Sequence, residues 1–279
     1  MKIRKLETEE KQNTKKLYEE VFSEDSKSFV DYYYEEKLKD NQIYAVEEDG
    51  EIQAMLHLNP YELAVNGSKK DVNYIVAVAT RESYRKRGYM PGLLKQALND
   101  MYADGETFTF LMPASESIYL PFDFRTVCEQ NRSYYDPEEE TEEGVVITDA
   151  VNADAEEMAA YMEAQLTQSY QVYAKRSTAY YERLIKEYAS DGGILKIYKK
   201  DGKITDIKIA AEAEEVDGIV GPMVEDHQQH SQSPQLVQQI DAVGLTHCFA
   251  PTLSGLPPHT SGGSPPRGTA GSPAPRGRS

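Results

Sequence analysis

Polar and apolar positions along the chain fall into short period-two runs separated by stretches of helical period. MKIRKL alternates and predicts a first strand. Thr8 stands where an N-cap would, ahead of a helix over residues 9–22 with Leu17, Val21 and Phe22 on its apolar face. A second helix over about 27–39 carries Phe29, Val30, Tyr33 and Leu38. QIYAVEEDGEIQAMLHLNPYEL reads as two strands joined at Asp49-Gly50, because both residue types tolerate the positive φ that a two-residue hairpin turn demands. DVNYIVAVAT, rich in Val, Ile and Tyr, is a fourth strand. The polar segment RESYRKRGY leads into the helix PGLLKQALNDMYADG, with Pro91 suited to its first position and Gly105 to its end. TFTFLMP predicts a buried strand, SESIYLPF a short helix and FRTVCEQNRSYY a final strand. The order over residues 1–136 is βααβββαβαβ, an α+β arrangement within the broad α/β class.

The acidic block DPEEETEE interrupts this pattern, and its mutual repulsion disfavours folding, so residues 137–144 read as a linker. EGVVITDAVNADAEEMAAYMEAQLTQ then restarts with a strand and a helix. A Tyr-rich helix over about 178–189 and the hairpin GILKIYKKDGKITDIKIAAE follow. Residues 145–218 thus resemble an incomplete second copy, without a strand–phosphate loop–helix of its own. The ending, residues 219–279, has no hydrophobic period and is dense in Pro, Gly and Ser. It cannot bury enough apolar surface to offset its ordering entropy. All 20 tyrosines lie at or before Tyr198, and no lysine follows Lys208. The body favours residues with AT-rich codons and the tail residues with GC-rich codons. The tail therefore reads either as disordered or as the product of a change of reading frame near residues 210–220.

Composition narrows the function. With 279 residues, 39% hydrophobic and 28% charged, the chain can form two modest domains. Its 47 acidic and 30 basic residues give a net charge of −17. That balance repels nucleic acid and anionic lipid and suits a cationic partner. Two cysteines, Cys128 and Cys248, support neither a disulfide scaffold nor a multi-cysteine zinc module. His227, His230 and His247 lie in the tail without strand or helix context, so no metal is expected. No run is long and apolar enough for a membrane span, and the N-terminus lacks a signal-peptide core, so the chain reads as cytoplasmic.

One segment carries chemistry: NYIVAVATRESYRKRGYMPGLLKQAL. An apolar strand ends at a polar loop holding Arg85, Lys86, Arg87, Gly88, Tyr89 and Met90, and a helix begins around Met90 and Pro91. The unpaired N–H groups and dipole of a helix start attract a phosphate. Gly88 allows close backbone approach, and three cations reverse the sign of an acidic protein locally. A solvated basic turn is the plainer alternative for such a short motif.

The segment resembles the coenzyme A pyrophosphate loop, R/Q-x-x-G-x-G/A, of the GCN5-related N-acetyltransferases (GNATs), with Arg85 and Gly88 matching and Met90 in place of the last small residue. VAVAT-x5-RKRGYMPGLL together with ASESIYLPFDF is similar to the Eis (enhanced intracellular survival) family, over residues 1–136 and partly over 145–215. The resemblance implies a GNAT fold with a mixed, mostly antiparallel sheet, a second GNAT-like domain lacking the loop, and a third, sterol-carrier-like domain that nothing here matches. It implies acetyl-CoA as acyl donor and an amine as acceptor: an aminoglycoside, a polyamine or a lysine side chain. By the same resemblance the backbone of Val76, Ala77 and Val78 binds the pantetheine arm and the thioester oxygen, and Arg85 to Pro91 cradle the pyrophosphate. Ser115 and Glu116 line the far side of the channel, and Tyr119 is the general acid, within Tyr119, Phe122 and Phe124 of the Y-x-x-F-x-F/Y pattern. Asp123 replaces the family's usual Gly. The family's base, a C-terminal carboxylate, is not carried over to Ser279; Glu116 or a residue of the Tyr-rich helix are substitutes. Family members form hexamers, a state not carried over without the third domain. Two other functions compete: a coenzyme A-binding module without turnover, and a truncated, inactive product.

Overall fold

The structure, a computed structural model, describes residues 2–127, 142–211 and 223–224. The first sheet runs β1 (Ile3–Lys5), β2 (Gln42–Glu48), β3 (Glu51–Val65), β4 (Ser68–Thr80) and β5 (Phe110–Leu111) in that spatial order. The pairs are antiparallel except β4–β5, which is parallel. Two α-helices, α1 (Lys15–Val21) and α2 (Lys27–Glu36), cover one face, and α3 (Tyr89–Ala103) covers the other. The period-two pattern explains the sandwich. Along β2, Ile43 and Ala45 pack towards α1 and α2, while Tyr44 and Val46 pack towards α3 with Leu93, Leu94, Ala97 and Leu98.

Several sequence expectations shift locally. Glu7, not Thr8, is the first N-cap, because the Glu10 carboxylate accepts the Glu7 N–H at 3.0 Å; residues 8–14 are a 3-10 helix ahead of α1. Ser26 caps α2, its hydroxyl accepting from the Phe29 N–H. Gly88 is the N-cap of α3, so Pro91 is its third residue rather than its first. The strand expected from TFTFLMP is continuous ladder at Phe110 and Leu111, with an isolated bridge at Phe108. A short helix, α4 (Glu116–Tyr119), follows, continued by a 3-10 turn to Phe122. Of the final strand over 125–136, the described part holds a single bridged residue, Thr126, and the remainder lies outside the described residues, with Cys128 and most of the acidic linker.

The second sheet comprises β6 (Val145–Asp149), β8 (Ile194–Lys200), β9 (Lys203–Ala211) and β10 (Met223–Val224), in the spatial order β10-β9-β8-β6. It packs beneath α5 (Ala155–Ser169) and α6 (Thr178–Ser190). Met158, Met162, Leu166 and Tyr181 meet Leu195, Ile197, Ile207 and Ile209. Strand β6 beside the β8–β9 hairpin, with two helices between, repeats β1 beside β2–β3. One strand breaks the symmetry. β7 (Val172–Ala174), between α5 and α6, leaves its own unit and pairs with β3. β4 occupies one edge of β3 from Ala54 to Val65; β2 holds the other up to Leu58, and β7 takes it from Leu63 to Val65. Pro60, which has no N–H to donate, sits in the gap between them. A groove opens there, lined by Asn59, Tyr61, Glu62, Lys175 and Arg183. The helices reinforce the junction, with Tyr32 Oη donating to Glu187 at 2.9 Å and Arg183 paired with Asp40 at 2.8 Å.

Of the tail, residues 219–222 and 225–279 lie outside the described residues, and with them His227, His230, His247 and Cys248. Among the described residues no helix is long and apolar enough to cross a membrane.

Candidate active site

Strand β4 carries a β-bulge. Met55 stands opposite Ala79 and His57 opposite Val76, so Leu56 faces two residues, Ala77 and Val78. The extra residue puts Ala77 at φ 49°, a conformation uncommon for a residue with a Cβ. It also interrupts the side-chain alternation. Val76 and Ala77 both turn to the α1/α2 core, and Val78 to the α3 core. On the other side, the β4–β5 ladder ends at Ile75↔Leu111, while β4 runs on to Thr80. The bulged stretch Val76–Val78 therefore has its outward edge beyond the end of β5, where its amides and carbonyls are not used in that ladder.

From Thr80 the chain passes through a 3-10 turn at Glu82–Tyr84 and enters α3 at Gly88. Lys86 and Gly88 both have positive φ, 63° and 81°. The first helical hydrogen bond is Gly92 N–H to Gly88 O at 3.1 Å. The N–H groups of Tyr89 and Met90 thus have no helical acceptor, and Pro91 brings no donor. Thr80, Tyr84, Arg85, Lys86, Gly88, Tyr89, Met90 and Pro91 together line a depression at this helix start. The sequence-predicted loop residues meet there with one exception. Arg87 turns aside: its guanidinium lies 4.4 Å from the Tyr84 ring centroid, donates to Ser83 O at 3.0 Å, and reaches within 4.0 Å of Glu48. Arg85 donates to Thr80 O at 3.3 Å, tying the loop to the end of β4.

Tyr119 is buried in the α3 core, edge-on to Phe124 with ring centroids 5.7 Å apart. Its hydroxyl has no hydrogen-bond partner among the described residues. Burial pushes that hydroxyl up from its ordinary value. It therefore stays protonated at neutral pH and is available as a proton donor. Asp123 adopts φ 63° at the end of the turn, a conformation for which Gly is the unstrained choice. Ser115 and Glu116 begin α4 at the surface, Ser115 Oγ 2.9 Å from Ser117 Oγ and Glu116 accepting from Thr126 at 2.8 Å.

Sequence reasoning missed His57. It is fully buried on β3, directly across from Val76, with its Nδ1 3.1 Å from Tyr33 Oη; its Nε2 has no partner among the described residues. Burial pulls its pKa down to about 3, so the ring is neutral. The alternation HLNPY, which sets His57, Asn59 and Tyr61 on one face of β3, was the available signal.

Residues 2–127 match the family model described as an acetyltransferase (GNAT) domain. No curated protein matches the chain. Among solved structures, a conserved protein of unknown function from Enterococcus faecalis V583, described as a "probable N-acyltransferase", superposes with TM-score 0.62 at 17% identity, over 81% of this chain and 57% of its own. A GCN5-related N-acetyltransferase from Anabaena variabilis ATCC 29413 gives 0.60 at 15%, over 81% and 58%. Eis1 from Mycobacterium abscessus gives 0.56 at 13%, over 90% and 65%. The chain thus spans less than two thirds of each of these proteins. The fold is the GNAT fold, with a mixed sheet between helices.

Proposed function

We propose that the chain is an acetyl-CoA-dependent N-acetyltransferase of Eis-like type. One observation carries the reading: the bulged, unladdered edge of β4 at Val76–Val78 runs directly into a helix start with free amides and two cations, Arg85 and Lys86. A thioester arm would add to the strand edge as a peptide does. Its diphosphate would lie on the amides around Gly88, and its carbonyl oxygen would accept from the bulge backbone. A neutral primary amine then attacks the carbonyl carbon, forming a C–N bond and an oxyanion. Collapse breaks the C–S bond, and the departing thiolate takes a proton from Tyr119. Because burial raises the Tyr119 pKa, that transfer is concerted with C–S cleavage rather than complete before it. The ammonium proton leaves to solvent or to a base supplied elsewhere in the chain, and the Tyr119 phenolate regains a proton from solvent.

The acidic body favours a cationic acceptor: an aminoglycoside, a polyamine or a lysine-bearing peptide. Residues 145–218 are on this reading a partial second GNAT-like domain. The test is thiol release from acetyl-CoA with kanamycin, spermidine and a lysine peptide, beside calorimetric titration of coenzyme A. Amine-dependent release supports the reading. Absence of both release and binding overturns it. Met90 supports a second reading. Its half-buried side chain lines the depression where the GNAT loop has a small residue. Binding without release would favour a coenzyme A-binding module.

A further inference from the structure

The tip of the β2–β3 hairpin reaches the phosphate loop through its own acidic residues. Glu48, the last residue of β2, accepts a hydrogen bond from Tyr89 Oη, the side chain of the first residue of α3. Asp49, the first turn residue, accepts from Tyr84 Oη at 2.9 Å. The two tyrosine rings stack with centroids 6.1 Å apart, and Arg87 lies over Tyr84 while also facing Glu48. Carboxylates this close to a phosphate site would ordinarily weaken it by repulsion. Their presence requires a compensating role, and the contacts supply one. Tyr89 has a buried ring, so fixing its hydroxyl fixes the backbone N–H of the first helical residue. Arg87, withdrawn from the depression, offsets the charge of Glu48.

We propose that Glu48 is a positioning residue for coenzyme A: it anchors Tyr89 and thereby holds the Gly88–Met90 amides in the arrangement that receives the diphosphate, with Arg87 as its counter-ion rather than a phosphate ligand. This rests on the proposed acetyltransferase function. It also separates two effects of the same side chain. If Glu48 acts as an anchor, removing it weakens binding; if it acts only as a negative charge, removing it strengthens binding.

The experiment measures KM for acetyl-CoA and kcat with the best acceptor, and Kd for coenzyme A by calorimetry, in the full chain carrying Glu48→Ala or Glu48→Gln. Glutamine keeps an acceptor for Tyr89 without the charge. The expected result is a rise of about tenfold in KM and Kd for Glu48→Ala with kcat within about twofold, and values for Glu48→Gln within about threefold of the parent. Circular dichroism shows that each variant is folded. Unchanged or tighter binding by Glu48→Ala overturns the anchor role, as does an equal loss in both variants. In either case the parent enzyme still binds coenzyme A and the acetyltransferase reading stands. If the parent binds none, both fall together.

Discussion

Replacing Gly88 by alanine separates the folding role of the loop from its ligand role. Gly88 sits at φ 81°, ψ 14°, and a Cβ built on it meets no atom within 4 Å. The cost to folding is therefore backbone strain alone, about 1 kcal/mol, which in a protein of this size lowers Tm by about 2–4 °C. The cost to binding has a different origin. Gly88 lines the depression, so on the proposed reading an added methyl would occupy space the diphosphate needs and lift it from the Tyr89 and Met90 amides. Hydrogen bonds from such donors to a charged group contribute about 1.5–3 kcal/mol each, so losing one weakens coenzyme A binding about 10- to 150-fold. Gly67 is the internal control. It has φ 77° in the β3–β4 turn and equally open surroundings, but does not line the depression. Gly67→Ala should cost a similar shift in Tm and leave binding unchanged. The assay is calorimetric titration of coenzyme A beside thermal unfolding of both variants. If Gly88→Ala binds as tightly as the parent while showing the same loss of Tm as Gly67→Ala, the helix start does not cradle the diphosphate.

Four other outcomes follow from the geometry. Tyr119→Phe should lower kcat about 100-fold or more with Kd for coenzyme A unchanged, measured by thiol release and calorimetry. Because burial raises the Tyr119 pKa above its ordinary value near 10, its proton is retained as pH rises from 7 to 9. The pH–rate profile should show no alkaline decline from this group in that range. His57, neutral when folded with a pKa of about 3 against 6.5 when exposed, leaves the unfolded chain binding more protons between those values. Its contribution is complete above pH 6.5 and is lost as pH falls towards 3, by about 1.4 kcal/mol per unit across the middle of that window. Urea unfolding at pH 7 and pH 5 should show a smaller pH dependence in His57→Leu than in the parent, and an equal dependence in both would refute the assignment. Tyr32→Phe, which removes the bond to Glu187, should cost about 1–2 kcal/mol while calorimetry still shows one cooperative transition for both units.

Legibility in the sequence followed how locally each feature is encoded. The Asp49-Gly50 turn could be read because two adjacent residues carry the whole backbone requirement, and both have positive φ, 58° and 77°. The start of α3 was read one to two residues late, at Met90 and Pro91, because Pro91 is the stronger local signal while the positive φ of Gly88 sets the true N-cap. The bulge at Ala77 could not, since alanine advertises no preference for φ 49°; pairing of both flanks of β4 with β3 imposes it. β7 was missed because three residues, Val172–Ala174, are too few to show a period, and their partner lies more than a hundred positions earlier in the chain. The cations of the loop were legible as a group, but which of them faces the depression was not. Arg87 is directed away by Ser83, Tyr84 and Glu48, contacts that a count of charges does not contain.

The loan of β7 to the first sheet has a consequence for how far the molecule can be dissected. A polypeptide stopping at residue 127 would retain β1 to β5 and the phosphate loop, yet it would present Leu63, Ala64 and Val65 with one side of their backbone bare. Those residues are shielded in the whole chain, Leu63 and Ala64 almost wholly so. A raw strand margin of this kind recruits its like from another molecule, so the excised half would tend to self-associate rather than serve as a minimal enzyme. Anyone wishing to isolate the first sheet with its helices would have to supply a surrogate for Val172–Ala174.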